Sequence, residues 1–180
     1  MFVGCGNNGG TGKIGLTTIS HTAAWTSSGA AITLGGAVFD CRASPFNNKI
    51  AVDISNRVTI YDAALTNPVP RTAWFTAYSK LVWDPLADFL MYIDTNGNQL
   101  FSLNVATGTP TQALATGNTL FACDFSPNGK YIATGGNEKK LFLLDSTRML
   151  TETWLTSDQI KGIAMTKDEN TKLFVGDILG

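Results

Sequence analysis

The chain has 180 residues, enough for one ordinary domain or four to five small repeats. Hydrophobic residues make up 44%, which supplies a core and argues against disorder. Charged residues are only 15%, and the 13 basic and 14 acidic side chains nearly cancel to a net charge of -1. That balance excludes a nucleic-acid binder working through a strong basic field, and an electrostatic membrane anchor.

The amino-terminal run from Met1 to Gly6 lacks a basic segment followed by an apolar one, so no secretory signal is visible. No stretch is long and apolar enough to predict a membrane span. These features point to the cytoplasm or the interior of a large assembly. Three cysteines are too few for a disulfide framework, and no Cys-x-x-Cys pair occurs. With His21 as the sole histidine, no zinc site is expected, and no other metal or cofactor is assigned. Gly9-Gly10-Thr11-Gly12-Lys13 resembles a phosphate loop only superficially. Asn7 stands where the leading glycine belongs, and Ile14 stands where a magnesium-binding hydroxyl belongs.

In chain order, Phe2–Cys5, Ile14–Thr18 and Ala23–Ser27 read as second-, third- and fourth-type strands of a partial unit over 1–37. Ser28 to Gly36 reads as an inserted, projecting loop. Three full units follow, over 38–79, 80–119 and 120–159, and a last partial unit covers 160–180. The pattern is clearest from Leu120 onward. Leu120–Phe125 is a strand, stopped by Ser126-Pro127-Asn128-Gly129. Tyr131–Thr134 is a second strand and Leu141–Leu144 a third.

Phe39-Asp-Cys-Arg-Ala-Ser-Pro45 repeats Phe121-Ala-Cys-Asp-Phe-Ser-Pro127 in register, and Leu81-Val-Trp-Asp-Pro85 stands between them. Second strands recur at Ile50–Asp53, Leu90–Ile93 and Leu173–Gly176, and third strands at Val58–Asp62 and Leu100–Asn104. Fourth strands fall near Trp74, Leu114 and Trp154. Four strands in about 40 residues is the period of a β-propeller blade, so the expected fold is an all-β propeller of four to five blades. Cys41 and Cys123 share one repeat position, which predicts both buried on inner strands.

Phe125-Ser-Pro-Asn-Gly-Lys-Tyr-Ile-Ala-Thr-Gly135 resembles the segment joining the first two strands of WD-repeat proteins. Tyr61-Asp62 and Leu144-Asp145 take the place of that family's Trp-Asp ending, with Asn104 in the middle unit. The family's Gly-His dipeptide is absent from every unit. Phe2-Val-Gly-Cys-Gly-Asn-Asn-Gly-Gly and Trp25-Thr26-Ser27 are also similar to glycine- and threonine-rich propeller segments of virion and adhesion proteins.

The termini fall mid-blade, and two arrangements stay open. The terminal strands share a composite blade that closes one ring, or the chain is an arc completed by another copy or a larger partner. Trp25, Trp74 and Trp154, recurring on outer strands, are the candidate partner-binding residues. His21 has no nucleophile and carboxylate at a spacing that predicts catalysis. Asp53, Asp94 and Asp177 end successive second strands and are expected to cap turns. Lys139, Lys140, Arg148 and Lys161 form a mild basic group on a solvated face. The expected function is a non-enzymatic scaffold for protein partners, copies of itself included, without nucleic acid. The alternative is a structural subunit of an assembled particle, such as a virion or tail. A lectin or hydrolase would need carboxylates or aromatics converging on the central face, and the sequence shows none.

Overall fold

The computed structural model describes residues 2–8, 11–18, 26–55, 57–70, 80–94, 98–166 and 172–177. These contain strands and turns but no helix, and no helix long and apolar enough to cross a membrane. Seventeen strands form five antiparallel sheets. The first sheet holds β1 (Phe2–Asn8), β2 (Thr11–Thr18) and β3 (Thr26–Thr33). The second holds β4 (Val38–Ala43), β5 (Lys49–Ile54), β6 (Val58–Asp62) and β7 (Val69–Pro70). The third runs through β8 (Leu81–Trp83), β9 (Phe89–Asp94), β10 (Gln99–Asn104) and β11 (Thr109–Ala115). The fourth runs through β12 (Leu120–Phe125), β13 (Tyr131–Gly136), β14 (Lys140–Asp145) and β15 (Leu150–Leu155). The last pairs β16 (Ile160–Met165) with β17 (Leu173–Asp177).

Each full sheet is a meander, because short turns join neighbours and antiparallel strands need nothing longer. The turns are built from the side chains that the repeat supplies. Ser44 Oγ accepts the N–H groups of Phe46 and Asn47, each at 3.1 Å. Asp84 Oδ1 does the same for Leu86 at 2.8 Å and Ala87 at 3.2 Å. Ser126 Oγ instead accepts the Tyr131 N–H at 2.8 Å, across a turn where Gly129 takes φ 67°. Between third and fourth strands, Asp62, Asn104 and Asp145 share one task. Each Oδ1 accepts two backbone N–H groups of the following turn. Asn104 does this as well as an aspartate, since only a carbonyl-type oxygen is needed.

The core lies between the sheets, in layers. Leu34, Val38, Ile50 and Val52 belong to one layer, beside the first sheet. Ala51, Leu81, Leu90 and Tyr92 belong to the next, between the second and third sheets. Met91, Ile93, Cys123 and Ile132 fill the third. Ala122, Ala133, Leu141 and Ile160 fill the fourth, with Ile163, Met165 and Leu173 packed against it. Alternate residues of β5 and β9 therefore enter opposite layers, as the two-residue strand period requires. This is why β5 and β9 read as continuous apolar runs. The strands β4, β8, β12 and β16 pack side by side in sequence along the inner edge of the arc, and β1 packs on β4.

Pairing offsets identify the strand types. Three first-to-second pairs slip near their start, between Val38 and Asp40, Leu120 and Ala122, and Ile160 and Gly162, while the short β8–β9 pair is regular. Second-to-third pairs are regular, and third-to-fourth pairs β10–β11 and β14–β15 slip once. The β1–β2 pair is regular and β2–β3 slips between Gly15 and Thr17. Strands β1, β2 and β3 thus have the slip pattern of the second, third and fourth strands of the fourth sheet. They form a sheet separate from β16–β17, so the described terminal strands do not share a composite blade.

The expected loop from Ser28 to Gly36 is a correction. Residues through Thr33 belong to β3, and the slip between Gly15 and Thr17, opposite Ala31 and Ser27, takes up two more residues on β3 than on β2. Thr11, Gly12 and Lys13 of the phosphate-loop look-alike lie on β2, paired to Asn8, Asn7 and Gly6, while Gly9 and Gly10 lie outside the described residues.

Gly135 shows how tightly the layers close. A Cβ there would sit 2.5 Å from Ile160 Cδ1 of the next sheet and 3.0 Å from the Lys140 carbonyl oxygen. Gly135→Ala should destabilise the fold by about 2 kcal/mol in urea unfolding. Adding Ile160→Val removes the nearer clash, so the double variant should lose less than the two single losses together. Strict additivity would contradict this packing.

Candidate interaction surfaces

Two surfaces stand out, the inner edge of the arc and the outer edge of the fourth sheet. The inner edge carries the polar fastening between blades. Asp40 Oδ1 accepts the Cys41 N–H at 2.9 Å, and Oδ2 accepts the Leu81 N–H of the next sheet at 3.0 Å. Asp124 repeats the arrangement one rung along. Its Oδ1 accepts the Phe125 N–H at 2.9 Å, and its Oδ2 accepts the Met165 N–H of the next sheet at 2.8 Å. Both bridges span 41 residues, one repeat. Carboxylates suit this task because two oxygens can serve two strands at once. Trp83 Nε1 donates to the Arg42 carbonyl at 2.9 Å, adding a third cross-sheet bond. Lys49 Nζ lies 2.5 Å from Asp88 Oδ2 nearer the outside.

Between these strands lies an open groove of about 620 Å³, lined by Arg42, Lys80, Val82, Trp83, Asp124 and Ile163 among others. A second hollow of about 390 Å³ adjoins it, rimmed by the equivalent prolines Pro45, Pro85 and Pro127. The groove's charges largely answer one another. Arg42 Nε is 3.2 Å from Asp40 Oδ1, and Asp124 is held by backbone. No group of three or more metal-ligating side chains occurs among the described residues. Asp53 is fully buried, and Asp177 accepts a bond from Ser157 Oγ at 2.5 Å. The expected basic group divides. Lys139 and Lys140 pair with Asp158 and Glu138, Arg148 lies over Phe89, and Lys161 over Phe121.

The outer edge is different. Trp154 on β15 is 40% exposed and Leu155 is 82% exposed, with Met149 and Leu150 also exposed. Of the three tryptophans expected to meet partners, only Trp154 lies within the described residues. Trp25, Trp74 and His21 lie outside them. Leu155 and Met149 were missed by sequence reasoning, because the repeat marks only the tryptophan. Their signal was an outer strand without the usual alternation.

No family model and no curated protein matches this chain. Solved structures do. The chain is similar to the WD40 β-propeller domain of Doa1, with a TM-score of 0.68 and 13% identity over 96% of this chain and 59% of that one. It is also similar to a chain of the Mitotic Checkpoint Complex, with a TM-score of 0.73 and 16% identity over 93% of this chain and 51% of that one. The chain thus spans between half and three fifths of the length of these structures.

Burial is the main influence on Cys123 and on Asp124. It pushes the Cys123 thiol up to about 12, with Lys80 acting against it. Cys41 and Cys123 are both buried and in no disulfide. At pH 8 a thiol reagent should therefore label neither until the chain unfolds, as read by peptide mass mapping along a urea series. Rapid labelling of the folded protein would contradict the repeat register. Burial also raises the Asp124 carboxyl, while the Met165 and Phe125 N–H groups pull it down. The folded state then holds the proton more firmly than the unfolded chain. Its contribution is complete below the ordinary carboxylate pKa and declines as pH rises through the raised value. Asp124→Asn should flatten that slope in unfolding measured between acid and neutral pH. Asp124→Ala leaves two N–H groups without their acceptor and should cost about 2 kcal/mol.

By layering, strand period and these likenesses, the chain has the WD-repeat-like β-propeller fold, present as an arc of blades.

Proposed function

We propose that the chain is a non-enzymatic scaffold whose blades present fixed surfaces to protein partners. The observation that carries this reading is the exposure of Leu150, Trp154 and Leu155 on β15, with Met149 just before it. Large exposed aliphatic and aromatic side chains on a rigid strand lose little entropy on binding, and tryptophan is favoured as an anchor. Trp25 and Trp74, in the corresponding outer-strand positions of the repeat, are proposed as further anchors. The fastened inner groove supports the same reading, since Asp40 and Asp124 are committed to backbone rather than offered to a substrate.

A photo-reactive residue placed at Leu155 tests this edge in cells that make the protein. One discrete protein adduct should form, and Trp154→Ala should weaken the interaction by about tenfold or more. No adduct, or an adduct indifferent to Trp154→Ala in a folded variant, would contradict the proposal. A second reading, a structural subunit of an assembled particle, is in keeping with the low charge and the threonine, asparagine and glycine richness of the chain. Co-sedimentation of the chain with a large particle would separate that reading from a free scaffold.

A further inference from the structure

We propose that the seam between the third and fourth sheets is a binding site for an acidic side chain of a protein partner, received by Arg148. The proposal rests on the scaffold reading and gives the partner a chemistry. Both walls of the seam are complete four-stranded sheets.

The repeat shows what this position holds elsewhere. The turns that follow β6 and β14 are built alike. The Leu65 N–H donates to the Asp62 carbonyl at 3.0 Å, and the Arg148 N–H donates to the Asp145 carbonyl at 2.9 Å. Both residues take a left-handed backbone, with φ 59° and 69°. Leu65 is buried in the apolar layer beside the first sheet. Arg148 takes the same place against the third sheet, where its guanidinium lies 4.3 Å over the Phe89 ring. A cation thus replaces an apolar plug.

The facing wall changes at the same point. Ile60 and Leu143 stand two residues before the turn-capping Asp62 and Asp145, and Ser102 stands two before Asn104. Ser102 pairs with Thr111, where Ile60 pairs with Val69. The smaller, hydroxyl-bearing pair borders a cavity of about 300 Å³, lined by Phe89, Ser102, Thr111, Gln112 and Arg148 among others. The hollow over Ile60 and Val69 measures about 160 Å³.

Charge is balanced in one seam and not in the other. Between the second and third sheets, Lys49 is answered by Asp88 at 2.5 Å. One repeat on, Phe89 stands in place of Lys49 and Lys130 in place of Asp88. Arg148 brings the cation from the opposite wall, and no acidic side chain lines the cavity. Arg148 forms no ion pair with a described residue. Its Nε is buried without a hydrogen-bond partner among the described residues. A buried donor lacking an acceptor is costly, so an acceptor entering the cavity is favoured. Stacking on Phe89 fixes the guanidinium plane, and a carboxylate matches its edge with two parallel bonds. The cavity is at the lower end of small-molecule pockets, roughly 300–1,000 Å³, which suits one inserted side chain. Met149 lines the cavity and is exposed, which joins it to the outer strand β15.

Nitrogen-edited NMR reads the site, with capped acetyl-Leu-Glu-Leu-amide as the probe. The Arg148 Nε–H signal should shift saturably with this peptide. The glutamine analogue should bind about tenfold more weakly. Arg148→Leu and Ser102→Ile install the residues that the second sheet carries at these positions, so both should fold, as near-ultraviolet circular dichroism checks. Each should weaken glutamate-peptide binding by about tenfold or more, read at the Thr111 and Met149 amides. No shift at millimolar peptide would overturn the proposal. So would equal binding of the two peptides, or binding unchanged in both variants. An equal response to inorganic phosphate, or to a glutamine peptide with a free carboxyl terminus, would also overturn it. The scaffold reading is judged separately, by the Leu155 adduct and its dependence on Trp154, so a seam blind to carboxylates leaves that reading standing.

Discussion

The second, third and fourth sheets each send apolar side chains into two layers, and a two-faced apolar sheet must be covered twice. That constraint decides the rest. At about 25 cal/mol per Å² of apolar surface removed from water, no single sheet can pay the entropy of its own ordering. Stability is shared between neighbours, as in any array of stacked repeats. The second strands carry most of it, because β5 and β9 send alternate residues into two layers at once. The fourth strands carry little, and β15 is exposed throughout.

Apolar layers alone are weakly directional, and the inner edge supplies the register. Asp40 and Asp124 each tie their own strand and the next sheet's strand through one carboxylate. The two ties sit on different rungs but span the same repeat distance, so they fix the same step from sheet to sheet. Their cost is desolvation, visible in the raised carboxyl of Asp124. Fixed steps make a stiff arc, and a stiff arc can hold exposed side chains such as Trp154 in place without ordering them anew.

The sequence made the blades legible because three signals agreed on one period. Ser-Pro and Asn-Gly punctuation marked the turns, apolar runs marked the second and third strands, and Asp62, Asn104 and Asp145 marked the third strand's end. Composition could not reveal which layer each residue enters, since Ala51 and Val52 look alike but face opposite ways. It misread Ser28–Thr33 as a loop, because a bulge that absorbs extra residues leaves no local sequence mark. Trp154 was legible as an outer-strand residue from its recurrence. The exposure of Leu155 and Phe174 was not, because it depends on what lies beyond a sheet rather than on the strand itself.

Amide hydrogen exchange followed strand by strand tests the dependence on double coverage most directly. Protection should be greatest in β9 and β13, lower in β15, and lowest in β17. Equal protection of β17 and β9 would contradict the claim that coverage of both faces, rather than pairing within each sheet, holds the blades.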